Sequence, residues 1–505
     1  MTSLIDKLLI SYFKFRQEKI RHVYEHPTVY QNRILHKILK SNNTTDFGNT
    51  FQFKSIKDVA SYVSEVPLCT YEQLFPYINR MMQDEENVLC SDKIHWFAKS
   101  SGTSNDRSKF IPISSQYLQN GHLKCAWDAA SIIYNQDPTA KLFKDKSLIM
   151  GGSLQPLGKN KFAGDISAII LKNFPKIGRP FYTPDFDTAL MDNWEDKIIK
   201  MAGITSQQNV TLLAGVPTWT IILFNEVLKQ TGKSNISEVW PNIKSFLHGG
   251  VNFEPYRDEF KYFLPSEKII YREVYNASEG YFAIQDDKEF DGMLLLCNHE
   301  IFYEFIPLQF INYEFPTTVL VEDLDINSEY ALVITTSSGL YRYIIGDIIQ
   351  CVSKTPIRIK ITGRTHQQIN VFGEEVSISN VSKALSETCH HFNAIIKDFT
   401  VAPIFIQNGN SGSHEWFIEF KRLPDHQVEF AKKLDDEMRI INSDYDAKRT
   451  GDLALSTLKV NPVPTGTFEK WYRSKSKYGG QHKVPRLRND RKLANELNTL
   501  ISNGT

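Results

Sequence analysis

The hydrophobic pattern divides the chain into three stretches of different character. From residue 1 to about 45, apolar residues such as Leu9 and Phe13 recur among charged ones, which predicts amphipathic helices. From about 93 to 350, short apolar runs alternate with helical segments, a pattern typical of an α/β fold. The order of elements changes after about Ile361, which predicts a second domain from that point.

The central stretch contains segments that predict individual strands and helices. In "VTLLAGVPTW", a strand ends at Gly215, and the helix that follows runs to Gly232, a suitable C-terminal cap. The segments "SLIMGG" and "KIIYREVYNASEGYFAIQ" also predict strands joined by tight turns. The segment "ALVITTSSGLYRYIIGDIIQCV" predicts a hairpin that turns at Ser337-Ser338-Gly339.

The C-terminal stretch predicts a strand in "QINVFG", helices at about 378–391 and 425–441, three further strands and a final helix in "TFEKWYRSKSKYG". This β-α-β-β-α-β order is the split-βαβ arrangement of a compact domain. We place the boundary at Lys360–Arg364, which gives one domain over 1–360 and another over 361–505.

Composition narrows the class of protein. Among 505 residues, 58 Lys and Arg balance 58 Asp and Glu, so no net charge draws the chain to nucleic acid or an anionic membrane. No apolar run approaches the ~20 residues of a membrane span. Asp6 and Lys7 break the first apolar run, which predicts an amphipathic helix instead of a signal peptide. Single, scattered cysteines argue for buried free thiols in a cytoplasmic protein, and against zinc or disulfides.

A hydroxyl-rich loop, "KSSGTSNDRSKF" at Lys99 to Phe110, lies between two apolar segments. Backbone N–H groups of such a turn can converge on an anion, and hydroxyl groups add donors without bulk. The loop lacks the GK[ST] ending of a Walker A motif. By itself such a segment is more typical of a polar surface turn than of a phosphate-binding loop, so a phosphate-binding role needs support from other motifs.

Two carboxylates occur where strands are predicted. In "YNASEG", Glu279 follows a turn and can hold a divalent cation against phosphate oxygens, while Tyr275 can lie against a nucleobase. In "YRYIIGDIIQ", Asp347 interrupts an apolar strand, and a ribose diol offers two donors to one carboxylate. The alternative for Glu279 is a solvated glutamate in a turn. The alternative for Asp347 is an ion pair with Arg342 or Arg358.

Two basic residues lie near glycines in the C-terminal part. Arg364 follows Gly363 at the proposed boundary and can reach a phosphate or ribose. Lys483, in "KYGGQHKVPR", comes after a glycine pair, and a lysine on a mobile domain can neutralise a departing phosphoryl group. The alternative for the segment around Arg364 is a simple linker, and the alternative for the segment around Lys483 is a solvated basic stretch.

In this order along the chain, the five segments resemble the core motifs of adenylate-forming enzymes. Together, "WPNIK", "YNASEGYFAI", "LYRYIIGD", "TGTFE" and "GGQHKVPR" are similar to the auxin-responsive (Gretchen Hagen three) family of acyl-acid amido synthetases, with matches over about 95–487. The resemblance implies an α/β fold, with a large N-terminal α/β domain containing a β-barrel component and a small mobile C-terminal α+β domain.

The resemblance also implies a reaction. ATP and Mg²⁺ would activate a carboxylic acid as an acyl-adenylate with release of pyrophosphate, and an amine, usually an amino acid, would displace AMP. The implied nucleotide-binding residues are Ser100, Ser101, Gly102, Thr103, Gly249, Gly250, Tyr275, Ser278, Asp347 and Arg364. Glu279 is the implied Mg²⁺ ligand, Lys109 assists at the phosphates, and the C-terminal domain would deliver Lys483 for adenylation.

Within the implied site, Ser278 would lie near the α-phosphate, Tyr275 and the glycines would frame adenine, and Asp347 would bind the ribose. The chain departs from plant members at Asn105-Asp106-Arg107, where those have glycines and a glutamate, and at Ile344, where arginine is common. Asn and Asp tolerate positive φ, so the loop can keep its shape. Ile344 removes a positive charge near the ribose motif.

No signature identifies the acid-binding pocket. Thr218, Trp219 and His248 are candidates because they adjoin the nucleotide motifs, and core packing is the alternative for each. Two other functions stay open on the sequence: an adenylate-forming ligase that transfers to coenzyme A or another thiol, and a non-catalytic nucleotide-binding protein of the same fold. The expected partners are a small carboxylic acid and an amine, without nucleic acid or membrane.

Overall fold

The computed structural model describes residues 4–100, 109–136, 145–158, 160–365, 368–407, 410–452, 454–474 and 484–502. Helices form the N-terminal end, as the amphipathic pattern predicts. Their bounds are α1 (Leu4–Glu25), α2 (Pro27–Ser41), α3 (Asp46–Thr50), α4 (Val59–Glu65) and α5 (Tyr71–Met82).

Strands and helices then alternate, which confirms the α/β pattern. The strands are β1 (Ile94–Ser100), β2 (Lys109–Ser114), β3 (Lys146–Ile149), β4 (Leu154–Gly158), β5 (Lys161–Gly164), β6 (Tyr182–Thr183), β7 (Val210–Gly215), β8 (Ser245–His248), β9 (Ile270–Asn276), β10 (Tyr281–Ile284), β11 (Met293–Leu295), β12 (Ile301–Pro307), β13 (Glu329–Thr336), β14 (Tyr343–Lys354) and β15 (Ile357–Arg364). The helices are α6 (Ser115–Tyr117), a π-helix (Leu118–Leu123), α7 (Lys124–Gln136), α8 (Ile166–Lys172), α9 (Phe186–Ala189), α10 (Trp194–Thr205), α11 (Pro217–Thr231), α12 (Ile236–Val239) and α13 (Arg257–Phe263).

An eleven-stranded sheet carries most of these elements, in the order β12-β13-β14-β15-β11-β10-β9-β8-β7-β3-β6. Its β3, β6, β7, β8 and β9 pair in parallel, whereas β9 to β15 pair antiparallel. A separate four-stranded sheet, β2-β1-β5-β4, lies on the N-terminal side. The antiparallel half therefore brings the ends of distant segments to neighbouring strands.

Local signals place two of the predicted turns correctly. Helix α11 ends at Gly232, which has a φ of 69° and donates its N–H to the carbonyl of Leu228 at 2.8 Å. The β13–β14 hairpin turns through Gly339, whose φ is 102°. A Cβ there would lie 2.5 Å from the Leu89 Cβ, so this position requires glycine.

The C-terminal part has the predicted order of elements, with one difference in pairing. It contains β16 (Gln368–Ile369), β17 (Val376–Ser377), α14 (Ile378–His391), β18 (Ile395–Ile404), β19 (Ser413–Arg422), α15 (Gln427–Ile441), α16 (Ser443–Arg449), β20 (Lys459–Val463), α17 (Thr467–Ser474) and α18 (Lys492–Ser502). The three-stranded sheet is β18-β19-β20, and β16 pairs only with β17. The Glu374 carboxylate accepts the N–H groups of Val371 and Phe372, which holds this tight hairpin apart from the sheet.

A continuous apolar core joins the C-terminal part to the large sheet. It contains Phe246 and Trp240 from the α/β part and Trp416 and Phe430 from the C-terminal part. The predicted boundary at 360–364 falls inside β15, which pairs with β14 through its last residue. The division into 1–360 and 361–505 stays a prediction.

The six cysteines are free thiols, as predicted; five are buried and Cys389 is half-buried. Within the described ranges, no helix combines the length and the apolar character that crossing a membrane requires.

Candidate active site

The two ends of the hydroxyl-rich loop lie side by side. Strands β1 and β2 are antiparallel, with Ser100 opposite Lys109, so the loop between them begins and ends at one point. Ser101, Gly102, Thr103 and Lys483 lie outside the described residues. The Phe110 N–H donates to the Tyr71 hydroxyl at 2.7 Å, which fixes the second strand where it leaves the loop.

Lys109 and Glu279 are neighbours at this point. The Lys109 ammonium lies 3.4 Å from the Tyr343 hydroxyl and 5.6 Å from the centre of the Tyr71 ring. Burial raises the pKa of Glu279, and the Lys109 charge is the largest influence that opposes the rise. A buried carboxylate of this kind is stabilised by any further cation that binds beside it.

The turn that carries Glu279 is held from both sides. The Ser278 hydroxyl donates to the Lys99 carbonyl at 3.1 Å, and the Tyr117 hydroxyl donates to the Glu279 carbonyl at 2.6 Å. A Cβ on Gly280 would lie 2.6 Å from the Tyr117 oxygen, so glycine is required where the turn meets this tyrosine. Sequence reasoning missed Tyr117, because no local pattern connects it with a turn more than 160 residues away.

Asp347 forms an ion pair with Arg364. The two partners suggested by the sequence, Arg342 and Arg358, are wrong. The Arg364 Nε lies 2.7 Å from the Asp347 carboxylate, and the two residues are opposite each other in the β14–β15 pair. Arg342 instead pairs with Glu304, and Arg358 with Asp286, each at 2.8 Å.

Tyr275 completes this group through its hydroxyl, which donates to the Asp347 carboxylate. Burial and the Asp347 charge raise the pKa of Tyr275 well above its ordinary value, so the hydroxyl keeps its proton. Its ring packs against Phe282, with centroids 4.7 Å apart. Although burial opposes its charge, the Asp347 carboxylate holds the pKa of Arg364 above its ordinary value. Asp347 is therefore a hydrogen-bond acceptor held in place by Tyr275 and Arg364.

The two glycines after β8 allow close approach of the backbone. A Cβ on Gly249 would lie 2.4 Å from the Val274 carbonyl, immediately before Tyr275 in the chain. Gly250 has a φ of 83°, and a Cβ there would lie 3.3 Å from the Val216 side chain. This segment therefore links the start of α11 to the strand that carries Tyr275.

The three acid-pocket candidates do not share one environment. His248 is buried and stacks on Phe253 with centroids 4.1 Å apart; burial, with a contribution from Arg257, lowers its pKa to about 3. Thr218 is buried in the first turn of α11, and its hydroxyl has no hydrogen-bond partner among the described residues. The Trp219 ring instead contacts the C-terminal part, with the Lys448 ammonium 4.4 Å from its centre.

Lys448 belongs to a charged group where the two parts of the chain meet. Burial lowers its pKa, against the opposing charges of Asp165 and Asp444. Burial and the Glu375 carboxylate raise the pKa of Asp444 to about 6, while Lys448 opposes the rise. The sequence analysis missed this group, because nothing in the segment "SDYDAKR" predicts helix α16, which carries both residues.

Asp444 gives a testable pH dependence. The folded chain retains a proton on Asp444 up to about pH 6, whereas the ordinary pKa is 3.8, so wild-type stability falls as pH rises between these values. Asparagine does not titrate. Relative to wild type, Asp444→Asn is therefore expected to gain on the order of 1–2 kcal/mol between about pH 4 and about pH 7, after allowance for solvent screening. Urea denaturation at both pH values measures this, and a pH-independent difference would contradict it.

Ile344 lies in an apolar environment. Its side chain packs against a cluster formed by Ile306, Ala331 and Val333, with Leu68 beside it. Position 344, where plant members commonly have arginine, therefore contacts apolar side chains in this chain.

Comparison with known proteins agrees with this arrangement. The GH3 family N-terminal domain matches residues 16–183 and 158–269, the central domain matches 294–364, and the C-terminal domain matches 379–492. Indole-3-acetic acid-amido synthetase GH3.4 of Arabidopsis thaliana is 21% identical, over 92% of this chain and 90% of the relative. The 4-substituted benzoates-glutamate ligase GH3.12 of the same plant is also 21% identical, over 93% and 94%.

Solved structures share the fold. The acyl acid amido synthetase AtGH3.15, in complex with 2,4-DB, superposes with a TM-score of 0.62 at 17% identity, over 97% of both chains. A 2-hydroxyisobutyryl-CoA ligase superposes with a TM-score of 0.58 at 12% identity, over 95% of this chain and 92% of that one. The three family domains, which together match most of the sequence, lead to one conclusion: this chain belongs to the GH3 family.

Proposed function

We propose that this chain is an ATP- and Mg²⁺-dependent acyl-acid amido synthetase, a ligase that activates a carboxylic acid as an acyl-adenylate and transfers the acyl group to an amino acid. The observation that carries the proposal is the convergence of Glu279, Lys109 and the Asp347–Arg364 pair, whose charges act on one another within one site. The names of the relatives GH3.4 and GH3.12, an amido synthetase and a glutamate ligase, support transfer to an amine.

The residues fit a nucleotide and its metal ion. The Asp347 carboxylate is held in place by Tyr275 and Arg364, and its two oxygens can accept both hydroxyl groups of a ribose. Within the described residues, no cluster of three or more His, Cys, Asp or Glu could hold a metal ion. A Mg²⁺ ion at Glu279 would therefore take its other ligands from phosphates and water, as Mg²⁺ commonly does. Bound there, it would neutralise phosphate charge.

Each step of the proposed reaction requires particular groups of the protein. A carboxylate becomes an electrophile when one of its oxygens is bonded to AMP, a good leaving group. Charge develops on the departing pyrophosphate during adenylation, so Lys109 and the loop that begins at Ser100 can stabilise that charge. The Ser278 hydroxyl, next to Glu279 in the chain, donates its one proton to the Lys99 carbonyl and would donate to the α-phosphate by exchanging that partner. In the second step the amine forms the C–N bond, AMP leaves, and the amine loses a proton.

The proposal includes a cytoplasmic location and small-molecule partners, without nucleic acid or membrane. The free thiols and the zero net charge support these statements.

A substrate screen tests the proposed function. Purified protein, ATP and Mg²⁺ are incubated with a panel of carboxylic acids, and pyrophosphate release is measured with and without each acid. At least one acid is expected to support release, and amino acids added with that acid should yield an amide and AMP. Product with coenzyme A in place of the amino acid would favour thioester formation. ATP binding without pyrophosphate release for any acid would favour a non-catalytic protein.

Lys483→Ala is expected to lower acyl-adenylate formation by roughly 10²–10³-fold, because one cation at the departing pyrophosphate is lost. ATP affinity should change by less than about threefold, since the resemblance assigns Lys483 to the transition state rather than to binding. Single-turnover pyrophosphate release and equilibrium ATP binding measure the two effects. Equal losses in both would contradict the role.

Tyr117 is proposed as a positioning residue for Glu279. Tyr117→Phe removes the hydrogen bond to the Glu279 carbonyl and is expected to lower kcat for adenylation roughly tenfold, with a stability loss of about 1–2 kcal/mol. Tyr303→Phe is the control, because it removes an equally buried tyrosine hydroxyl that donates to the Leu296 carbonyl at 3.4 Å instead of to the Glu279 turn. A fall in kcat of the same size in both variants would show a merely structural effect.

A further inference from the structure

A crevice of about 430 Å³ lies between α1, the π-helix with α7, and the segment that joins β11 to β12. Its apolar surface comes from Ile20, Trp127, Leu294 and Leu296. Ile20, Leu294 and Leu296 belong to a cluster that also packs against Tyr281. The volume lies within the range of about 300–1,000 Å³ that is usual for small-molecule sites.

Basic side chains surround this apolar surface. Arg16 and Lys19, one turn apart on α1, and Lys124 at the start of α7 line the crevice, and Asp128 is the one acidic residue of its lining. The crevice therefore has an excess of positive charge beside an apolar wall.

The Asp128 carboxylate is engaged by neighbouring side chains of the crevice. Its carboxylate forms an ion pair with the Arg16 guanidinium, and its other oxygen lies 2.7 Å from the His299 Nε2. Although burial opposes its charge, the hydrogen bond with His299, together with the charges of Arg16 and Lys124, lowers the pKa of Asp128 below its ordinary value. The Asp128 carboxylate also acts on Lys124, but its two oxygens are engaged with Arg16 and His299. One carboxylate thus faces three basic side chains of the lining, Arg16, Lys19 and Lys124.

The two lysines keep donor capacity for an incoming anion. Lys124 donates to the Asn298 carbonyl, which uses one of its three ammonium protons. Lys19 lies over the Phe15 ring, 4.3 Å from its centre. Burial lowers the pKa of Lys124, so a bound anion would stabilise its charged form.

The crevice is distinct from the candidate active site. Val274 and Tyr275 are consecutive in β9, and consecutive strand residues point to opposite faces. Val274 packs against the cluster of Ile20 and Leu294, whereas Tyr275 packs in the other core and donates to Asp347.

We propose that this crevice is a second ligand site, which binds an amphipathic organic anion: a carboxylate on an aromatic or aliphatic body. The apolar wall takes the body, and Lys19 and Lys124 take the carboxylate. A free carboxylic acid and an N-acyl amino acid both have this chemistry. The first would be a substrate of the proposed reaction and the second a product, but the site stands on its own residues and does not depend on that reaction.

Isothermal titration of the full chain without ATP tests the site. The probes are phenylacetate and octanoate, with phenylacetamide and octanamide as neutral partners of the same shape, and N-octanoylglycine as the acylated form. The carboxylates are expected to bind at least about tenfold more tightly than the amides. Tighter binding of N-octanoylglycine than of octanoate would identify the acylated form as the better ligand, and the reverse would identify the free acid.

Two protein variants separate this site from the candidate active site. Lys19→Gln with Lys124→Gln keeps hydrogen-bonding groups but removes both charges, and is expected to weaken carboxylate binding at least about tenfold. Ile20→Trp fills the apolar wall and should do the same without a change in charge. The matched control, Lys93→Gln with Lys233→Gln, removes two exposed lysines elsewhere and should bind as wild type does.

Glu279→Gln should also retain binding in the crevice, because it alters only the candidate active site. The proposal is overturned if no probe binds, if the amides bind as tightly as the carboxylates, or if both crevice variants bind the carboxylates as wild type does. This titration omits ATP and amine. If the crevice fails to bind the probes, the proposed synthetase activity is therefore still tested separately, by pyrophosphate release.

Discussion

Glu279→Gln is expected to lower acid-dependent pyrophosphate release by about 10²–10³-fold, because glutamine removes the carboxylate proposed to hold Mg²⁺ against the phosphates. The fold should tolerate the change. Burial raises the pKa of Glu279, so the charged carboxylate is unfavourable for folding at neutral pH and its removal carries little stability cost. Steady-state pyrophosphate release and urea denaturation measure the two quantities.

Glu267→Gln is the matched control, since it replaces an exposed glutamate in the turn before β9. It should keep wild-type activity and stability. Activity of Glu279→Gln within about twofold of wild type would contradict the assigned role.

Asp347→Asn is expected to raise the KM for ATP by about 10–100-fold, because asparagine offers one acceptor oxygen in place of the two oxygens of the carboxyl group. It also breaks the pair with Arg364. Asp347 is 6% exposed and Arg364 31%, so screening reduces the loss in unfolding free energy to about 1–3 kcal/mol. Substrate titrations and denaturation curves measure both effects.

Asp286→Asn is the control for this ion pair. Asp286, just after the end of β10, pairs at 2.8 Å with Arg358 of β15, the strand that also carries Arg364, and their side chains are 15% and 14% exposed. It should lose similar stability while the KM for ATP stays within about twofold of wild type. A double-mutant cycle with Arg364→Gln should give a coupling energy of about 1 kcal/mol or more. Equal KM values for Asp347→Asn and Asp286→Asn would refute ribose binding at Asp347.

Sequence reasoning predicted the elements where local chemistry fixes them. Gly232 ends α11 because glycine adopts the left-handed conformation there, and Gly339 occupies a turn without room for a side chain. The order of elements in the C-terminal part also follows from alternating patterns. The predicted strand in "QINVFG" failed to join the sheet because the Glu374 carboxylate closes its hairpin, a contact that periodicity does not report.

The missed parts of the site depend on contacts between distant residues. Helix α16 is short and polar in sequence, and it is held by Tyr445 and Arg449, which both bond to the buried Asp435. Tyr117 reaches Glu279 only after the strands have paired. Sequence reasoning offered Arg342 and Arg358 as partners of Asp347, whereas the register of β14 and β15 places Arg364 opposite it. The order of the motifs predicted which segments form the candidate site, and the structure identified the residues that contact the predicted site residues.

An oxygen-labelling experiment tests the central claim most directly. The acid that best supports pyrophosphate release is labelled with ¹⁸O at both carboxylate oxygens and incubated with the enzyme, ATP, Mg²⁺ and an amino acid. If the carboxylate attacks the α-phosphate, AMP carries one labelled oxygen and the amide carries the other. Labelled inorganic phosphate formed with ADP, or AMP without label, would contradict an acyl-adenylate.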